Sequence, residues 1–424
     1  MWGINFLVEK QVFCFGHVEV FHVSFFNPLL VFVISIILLV VLLYRKVGLG
    51  ISLIASAFLM SFLSLGISET GTVLLETCLD PLTLTLVFAS FFIMLLSILY
   101  KETGLVDDLT RSLGGLIKNS KVIVSLLPAV IGLLPVAGGA LMSAPMVDAE
   151  ADKLGLDESK KTFINIWFRH AIIPIYPVSQ FIILTAALTQ TSIDMLIGRQ
   201  VFVVIVMIAV GYFIGLKKTR NPKTDNTKTE ANQKSNLERL LASFLPIIIT
   251  VVLTVALNVN IAIATLVGVA TILLITKKVA VFPKTLKNKA VWEVTLAAFG
   301  ALLLKNVTLA SGASEIIGNT LANTNMPAII IISAVPAVLG LLLGSPSGAV
   351  ALSVPILAET IAFIPKTASL LYISAYLGYL IAPTHLCLVF TAQYFKSPIN
   401  KSYKYLIPAT TISIIAALIT YLIL

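Results

Sequence analysis

The sequence predicts an all-α, polytopic membrane protein built from two inverted repeats with re-entrant hairpins. Its 424 residues are 58% hydrophobic and 12% charged, whereas a soluble domain carries about 25% charged residues. Several apolar stretches reach the ~20 residues that a helix needs to cross the hydrocarbon core. They lack the alternation, in segments of about ten residues, that is typical of outer-membrane barrels. Helices are therefore expected throughout.

A polar linker at residues 217–238 divides these apolar stretches near the middle of the chain. It has no apolar periodicity and is predicted to be disordered and cytoplasmic. Residues 1–25 are predicted to be an extracytoplasmic lead-in to the first apolar stretch. The stretches fall near residues 26–44, 47–66, 82–100, 121–147, 162–188, 193–216, 239–257, 259–276, 290–310, 327–361, 368–391 and 403–424.

The two halves, residues 26–216 and 239–424, are related by an internal repeat. PAVIGLL begins at Pro128 and PAVLGLL begins at Pro336. The same offset, applied without a gap, places Gly104 on Gly312. Such self-similarity is the signature of a duplicated structural unit, although chance similarity between leucine-rich segments is the alternative.

Each half is predicted to hold about five transmembrane helices and one re-entrant hairpin. The hairpins are placed at residues 121–150 and 327–361, and the helices that follow, 162–188 and 368–391, are broken at prolines. Because the first half crosses the membrane an odd number of times, the second half starts on the opposite side and has the inverted orientation. Lysine-rich loops such as KKVAVFPKTLKNK (277–289) then share the cytoplasmic side, and both termini lie outside.

The hairpin tips and helix breaks are predicted to bind substrate and a coupling ion. Irregular backbone at membrane depth is tolerated only where it is buried in protein or lines a cavity. Helix N-termini suit an anion, and free carbonyls suit Na⁺. The alternative is that Gly and Pro only permit close helix packing. The candidate residues are Ala137, Gly138, Gly139, Ser143, Pro174, Tyr176, Pro177, Ser345, Ser347, Gly348, Pro383, Thr384 and His385.

Polar side chains within the apolar stretches are further candidates, as charge partners of the substrate. They are Arg169, His170, Lys305 and Asn306. Plainer interpretations stay open, because Arg169 can pair with an acid, Lys305 can lie near the outer interface and His385 can be a packed core residue.

The sequence contains no enzyme signature. It has no HExxH motif and no Walker motif, and GSPSG carries Pro346 where a nucleophile elbow needs serine. The three cysteines form no CxxC motif, so neither a metal site nor a disulfide framework is predicted. The net charge of +9 is assigned to cytoplasmic loops and not to nucleic-acid binding. No cofactor is expected other than Na⁺ as a candidate coupling ion.

The segments PAVIGLLPVAGGALMSAPMVDAEADKLG (128–155) and LIAPTHLCLVFTAQYFK (380–396) resemble a prokaryotic integral-membrane family of the ion transporter superfamily. That superfamily includes divalent anion/sodium symporters, citrate and gluconate permeases, and NhaD-type and arsenite antiporters. The resemblance implies a homodimer in the plasma membrane of a prokaryote, with elevator-like movement of the substrate-bearing domain. The Ser-Asn-Thr motifs of the divalent-anion symporters are absent from both hairpin tips, so dicarboxylate specificity does not carry over.

The leading functional hypothesis is a secondary transporter of a small organic anion, coupled to Na⁺ or H⁺. The second hypothesis is a cation/proton antiporter, which requires a buried carboxylate such as Asp148, Glu150 or Glu359. A channel or a membrane scaffold forms a third class, and it would show a continuous pore or unbroken helices.

Overall fold

The computed structural model describes residues 27–133, 139–219, 230–323 and 326–423, and these residues are helical, with no β-strand among them. The all-α fold class predicted from the sequence is confirmed. The predicted lead-in, residues 1–25, lies outside the described residues. So do most of the first hairpin tip, including Ala137 and Gly138, and part of the linker.

The described residues form twenty α-helices, four of which are extended or joined by short 3₁₀ or π segments. The α-helices are α1 (Pro28–Tyr44), α2 (Leu49–Ser64), α3 (Gly66–Leu79), α4 (Pro81–Glu102), α5 (Leu105–Leu116), α6 (Ser120–Gly132), α7 (Gly139–Lys153), α8 (Glu158–Ala171), α9 (Gln180–Thr189), α10 (Ile193–Gly211), α11 (Glu230–Val251), α12 (Ile261–Thr276), α13 (Phe282–Leu286), α14 (Lys289–Ala310), α15 (Ala313–Ala322), α16 (Ala328–Leu343), α17 (Pro346–Leu357), α18 (Pro365–Leu380), α19 (Leu386–Tyr394) and α20 (Ile399–Ile423). The 3₁₀ segments are Ile173–Ile175 and Val279–Val281, and the π segments are Tyr212–Leu216 and Val252–Ala256.

Within the part of the chain that the structure describes, six helical segments are long and apolar enough to cross a membrane. Large apolar side chains on the outward faces of several helices are exposed, among them Ile37 in α1, Ile205 in α10 and Leu274 in α12. A lipid bilayer would cover such side chains, which water solvates poorly. These candidate membrane spans are Pro81–Glu102, Glu158–Thr189, Ile193–Leu216, Lys234–Ala256, Lys289–Ala310 and Ile399–Ile423.

Both segments predicted as hairpins fold as two helices that pack on one another. In the first, α6 ends at Gly132 and α7 begins at Gly139. In the second, α16 ends in Gly344, whose φ of 58° lies in the left-handed region. Neither segment is one continuous rod. The side of the membrane on which each opens stays a prediction.

The helices after the two hairpins are interrupted at prolines. Residues 172–179 separate α8 from α9, and residues 381–385 separate α18 from α19. Both interruptions arise because proline lacks the N–H that the helix ladder needs and clashes with the preceding turn.

The sequence interpretation was wrong for the end of the linker, because residues 230–238 belong to α11. The helix continues into an apolar stretch in which Leu240 and Phe244 pack against Leu109 and Leu113 of α5. Burial of that face stabilises a helix that polar composition alone does not predict. A short helix, α13, also lies within the predicted loop at residues 277–289.

Two glycines that the repeat aligns have matching conformations. Gly104 and Gly312 have φ angles of 83° and 72° and directly precede α5 and α15. Only glycine adopts this left-handed region without a steric cost. The repeat itself remains a prediction.

Helices α16 and α18 approach each other closely because glycines lie at their contact. A Cβ at Gly378 would overlap the backbone of Ala337, and a Cβ at Gly340 would overlap the backbone of Ala375. Small residues at such crossings let two backbones pack tightly within a membrane.

We expect Gly378→Ala to lower the free energy of unfolding by about 1–3 kcal/mol, because the added methyl forces two backbones apart. The measurement is the unfolding of purified protein in detergent. Gly198→Ala in α10 is the matched control, since a Cβ there meets open space. Equal behaviour of the two variants would contradict the close crossing.

Candidate functional site

A cavity of about 230 Å³ lies at the break between α8 and α9. We call it the arginine cavity, because Arg169 is the charged residue among the described residues that line it. Its volume is near the lower end of the ~300–1,000 Å³ of drug-sized sites, so it suits a small ligand. It is lined by Met94, Gly132, Leu133, Arg169, His170, Ile173, Tyr176, Val178, Ser179, Gln180, Phe181, Tyr379 and Cys387.

Arg169 and His170 occupy the last turn of α8, and their side chains are 4% and 3% exposed. A cation at this position is favoured by the partial negative charge of a helix C-terminus. Gly132, at the end of α6, lets this helix lie close to the end of α8, because a Cβ at this position would overlap the carbonyl of Arg169. The end of the first hairpin helix is thereby held directly against the arginine.

The break in α8 leaves a carbonyl that another helix satisfies. Pro174 has no N–H to offer the carbonyl of His170, its expected partner one turn earlier. The Tyr376 hydroxyl of α18 donates a hydrogen bond to that carbonyl at 2.8 Å. At the second break, the Tyr403 hydroxyl donates to the carbonyl of Ile381 at 3.1 Å. Buried polar groups in a membrane require such partners.

The N-terminus of α9 faces the arginine cavity. Ser179 caps the helix by accepting a hydrogen bond from the backbone N–H of Phe181 at 3.3 Å. The Nε2 of Gln180 is buried and has no hydrogen-bond acceptor within the described residues. The cavity wall therefore combines a guanidinium, a helix N-terminus and an amide donor, all of which attract an anion.

A second cavity, of about 250 Å³, shares Gln180 and Phe181 with the arginine cavity as lining residues. We call it the apolar cavity, because aliphatic side chains dominate its wall. Ser345 and Ser347, at the start of α17, bring the second hairpin to it. The full lining is Leu49, Leu53, Leu86, Ser90, Gln180, Phe181, Leu184, Glu293, Val294, Ala297, Ala298, Ser345 and Ser347.

The hydroxyl of Ser143 is used within the protein and does not line either cavity. It donates to Asn165 Oδ1 at 2.6 Å, while Asn165 Nδ2 donates to the carbonyl of Ala140 at 2.9 Å. The same amide lies 3.3 Å from Thr391 Oγ1 in α19. Asn165 is fully buried and joins α7, α8 and α19 through this network.

Of the residues predicted from the sequence, the structure brings Arg169, His170 and Tyr176 together at the arginine cavity. His385 is buried beside them, with a ring-centroid distance of 4.8 Å to His170. Ser345 and Ser347 line the apolar cavity.

Other predicted residues lie away from both cavity walls. Lys305 donates to the carbonyl of Leu188 at 3.0 Å, and Asn306 donates to Thr77 Oγ1 at 2.9 Å. Pro174 is buried in the 3₁₀ turn, and Thr384 packs against the turn at Gly344. The remaining members of this group are Pro177, Gly348 and Pro383.

The acids near the hairpins form ion pairs or are exposed. Lys161 Nζ lies 2.6 Å from Asp148 and 2.5 Å from Asp152. Glu150 lies 2.6 Å from Lys153 Nζ, and Glu359 is exposed. No aspartate or glutamate that the structure describes is buried to the extent of Arg169.

The sequence interpretation missed Asn165, Gln180, Tyr379 and Cys387. One signal was available for the tyrosine, since Tyr372, Tyr376 and Tyr379 recur at helical spacing on one face of α18. Gln180 directly follows a serine N-cap after the first break, which is also visible in the sequence. Asn165 and Cys387 become notable only through their neighbours in space.

The profile of the family described as "Protein of unknown function (DUF401)" matches residues 27–424. The chain belongs to this family. No curated protein matches it in sequence.

Among solved structures, the chain is similar to the Alcanivorax borkumensis YdaH transporter, whose crystal structure is reported to reveal an unusual topology. The TM-score is 0.62 at 12% identity, over 93% of this chain and 98% of the other. This likeness shows that the DUF401 chain shares the fold of a membrane transporter.

We expect Tyr376→Phe to destabilise the DUF401 chain by about 1–3 kcal/mol, because it leaves the carbonyl of His170 buried without a donor. The measurement is the unfolding free energy in detergent. Tyr394→Phe in α19 is the control, since that side chain is exposed. If Tyr376→Phe left the unfolding free energy unchanged, the carbonyl of His170 would have another hydrogen-bond donor.

Proposed function

We propose that this protein is a secondary active transporter of a small organic anion, a carboxylate, coupled to Na⁺ or H⁺. The observation that carries the proposal is the arginine cavity. There a buried guanidinium and the N-terminus of α9 meet at an interrupted helix. Arginine recognises carboxylates with paired, charge-assisted hydrogen bonds.

The broken helices support transport over a channel or a scaffold. Interrupted helices that line cavities are the recurring construction of substrate and ion sites in secondary transporters. The structure shows two cavities, which share Gln180 and Phe181 as lining residues. The fold shared with the YdaH transporter agrees with this assignment.

The finer proposal follows the resemblance to the ion transporter superfamily. The protein would work as a homodimer in the plasma membrane of a prokaryote, with both termini outside and an elevator-like movement of the hairpins. The helix breaks and the hairpin tips would hold Na⁺, if Na⁺ is the coupling ion.

The cation/proton antiporter is the weaker hypothesis. It needs a carboxylate that binds and releases a proton within the membrane. The described carboxylates near the hairpins are instead exposed or paired with lysine.

The test is uptake of a panel of radiolabelled carboxylates into proteoliposomes, with Na⁺ and pH gradients imposed separately. We expect one class of carboxylate to accumulate under one of the two gradients. Flux of ²²Na⁺ or protons without counterflow of any carboxylate would replace the proposal with the antiporter.

Arg169→Gln should weaken the apparent affinity for the transported carboxylate about 10- to 100-fold. This change corresponds to the ~1.5–3 kcal/mol that a hydrogen bond to a charged group contributes. Arg111→Gln is the matched control, because Arg111 is exposed on α5. If Arg169→Gln and Arg111→Gln changed the apparent affinity equally, the assignment of Arg169 to the substrate site would be wrong.

A further inference from the structure

The two helix breaks bring together a cluster of ligand-type side chains from distant parts of the chain. One ring nitrogen from each of His170 and His385 and the sulfur of Cys387 all lie within 4.8 Å of one another. His170 ends α8, whereas His385 and Cys387 begin α19. His170 and His385 are 3% and 1% exposed.

The backbone partners of both imidazoles determine which ring nitrogen carries the proton. His170 Nδ1 lies 2.7 Å from the carbonyl of Ile166, and His385 Nδ1 lies 3.3 Å from the carbonyl of Leu380. A carbonyl only accepts, so each Nδ1 must donate. Each neutral ring therefore keeps the lone pair on Nε2.

This arrangement is the one found around metal-bound histidines, whose second nitrogen donates to a carbonyl or a carboxylate and so orients the ring. The third group, the Cys387 thiol, lines the arginine cavity together with His170. Two imidazoles and a thiolate form a ligand set that suits Zn²⁺ and related transition metals.

We propose that His170 Nε2, His385 Nε2 and Cys387 Sγ form a binding site for a thiophilic transition-metal ion such as Zn²⁺. Tetrahedral Zn²⁺ has ligands at about 2.0–2.3 Å, which places the ligand atoms roughly 3.3–3.8 Å apart. The cluster closes by about 1 Å through side-chain rotation to reach that geometry.

Binding changes two partners in the cluster. The Cys387 thiol releases its proton to water in the cavity, and the thiolate then offsets part of the ion's charge beside Arg169. The Tyr379 hydroxyl, which lies 2.7 Å from His385 Nε2, gives up that hydrogen bond. The arginine cavity, which contacts His170 and Cys387, supplies the entry route and the fourth coordination position.

The test uses the full chain, reduced and purified in detergent, with Cys14→Ser and Cys78→Ser in place. Because the sequence has three cysteines, Cys387 is then the only thiol. Titration with Co²⁺ should produce a thiolate-to-cobalt band in the near ultraviolet, with the visible bands of a tetrahedral ion. One equivalent of Zn²⁺ should abolish these bands.

Cys387→Ser is nearly isosteric and should remove the thiolate band completely. His170→Gln and His385→Gln should each lower Co²⁺ affinity at least 10-fold, and Zn²⁺ should raise the melting temperature of the parent protein but not of these variants. A protein with Cys78 as its only thiol is the matched control, since Cys78 is exposed and lies outside the cluster.

Absence of a thiolate band in the protein with Cys387 alone would overturn the proposal. So would a band that persists unchanged in both histidine variants, because the thiol would then bind the ion without the cluster. Metal binding is read by spectroscopy and melting, and carboxylate uptake is read in proteoliposomes. Failure of the metal site is thereby distinguished from failure of the transport proposal.

Discussion

The structure depends on finding partners for backbone carbonyls that proline has removed from the helix ladder. An unpaired carbonyl costs several kcal/mol at membrane depth, so a broken helix is stable only where a neighbour donates to it. Tyr376 supplies the donor for the carbonyl of His170, whose ladder partner would be Pro174, and Tyr403 donates to the carbonyl of Ile381 within the second break. These bonds tie α18 to the first break and α20 to the second.

The same helix break also positions the charged and polar groups of the arginine cavity. The break that frees the carbonyl of His170 ends α8 at Ala171, two residues after Arg169, and lets α9 begin at Gln180. A helix C-terminus with its cation and a helix N-terminus with its free N–H groups therefore face one cavity. The arrangement attracts an anion because both the guanidinium and the dipole of α9 are positive there.

The two breaks occupy related positions in the proposed repeat but carry different side chains. The first contributes a guanidinium and an imidazole, whereas the second contributes an imidazole and a thiol. The side chains at the two breaks therefore make the pocket chemically asymmetric. In the two proposals, Arg169 of the first half would hold the anion, and His170 would join His385 and Cys387 of the second half around the metal ion.

The sequence by itself determined the helical class, the apolar stretches and the interruptions at Pro174 and Pro383, because hydropathy and proline geometry act within one or two turns. It did not determine the start of α11, whose polar turns lead into a face buried on α5. Only the tertiary structure decided that His170 meets His385 and Cys387, or that Asn165 joins three helices. Some of those contacts join residues more than 200 positions apart in the chain. No local sequence pattern encodes which helix faces meet across such a separation.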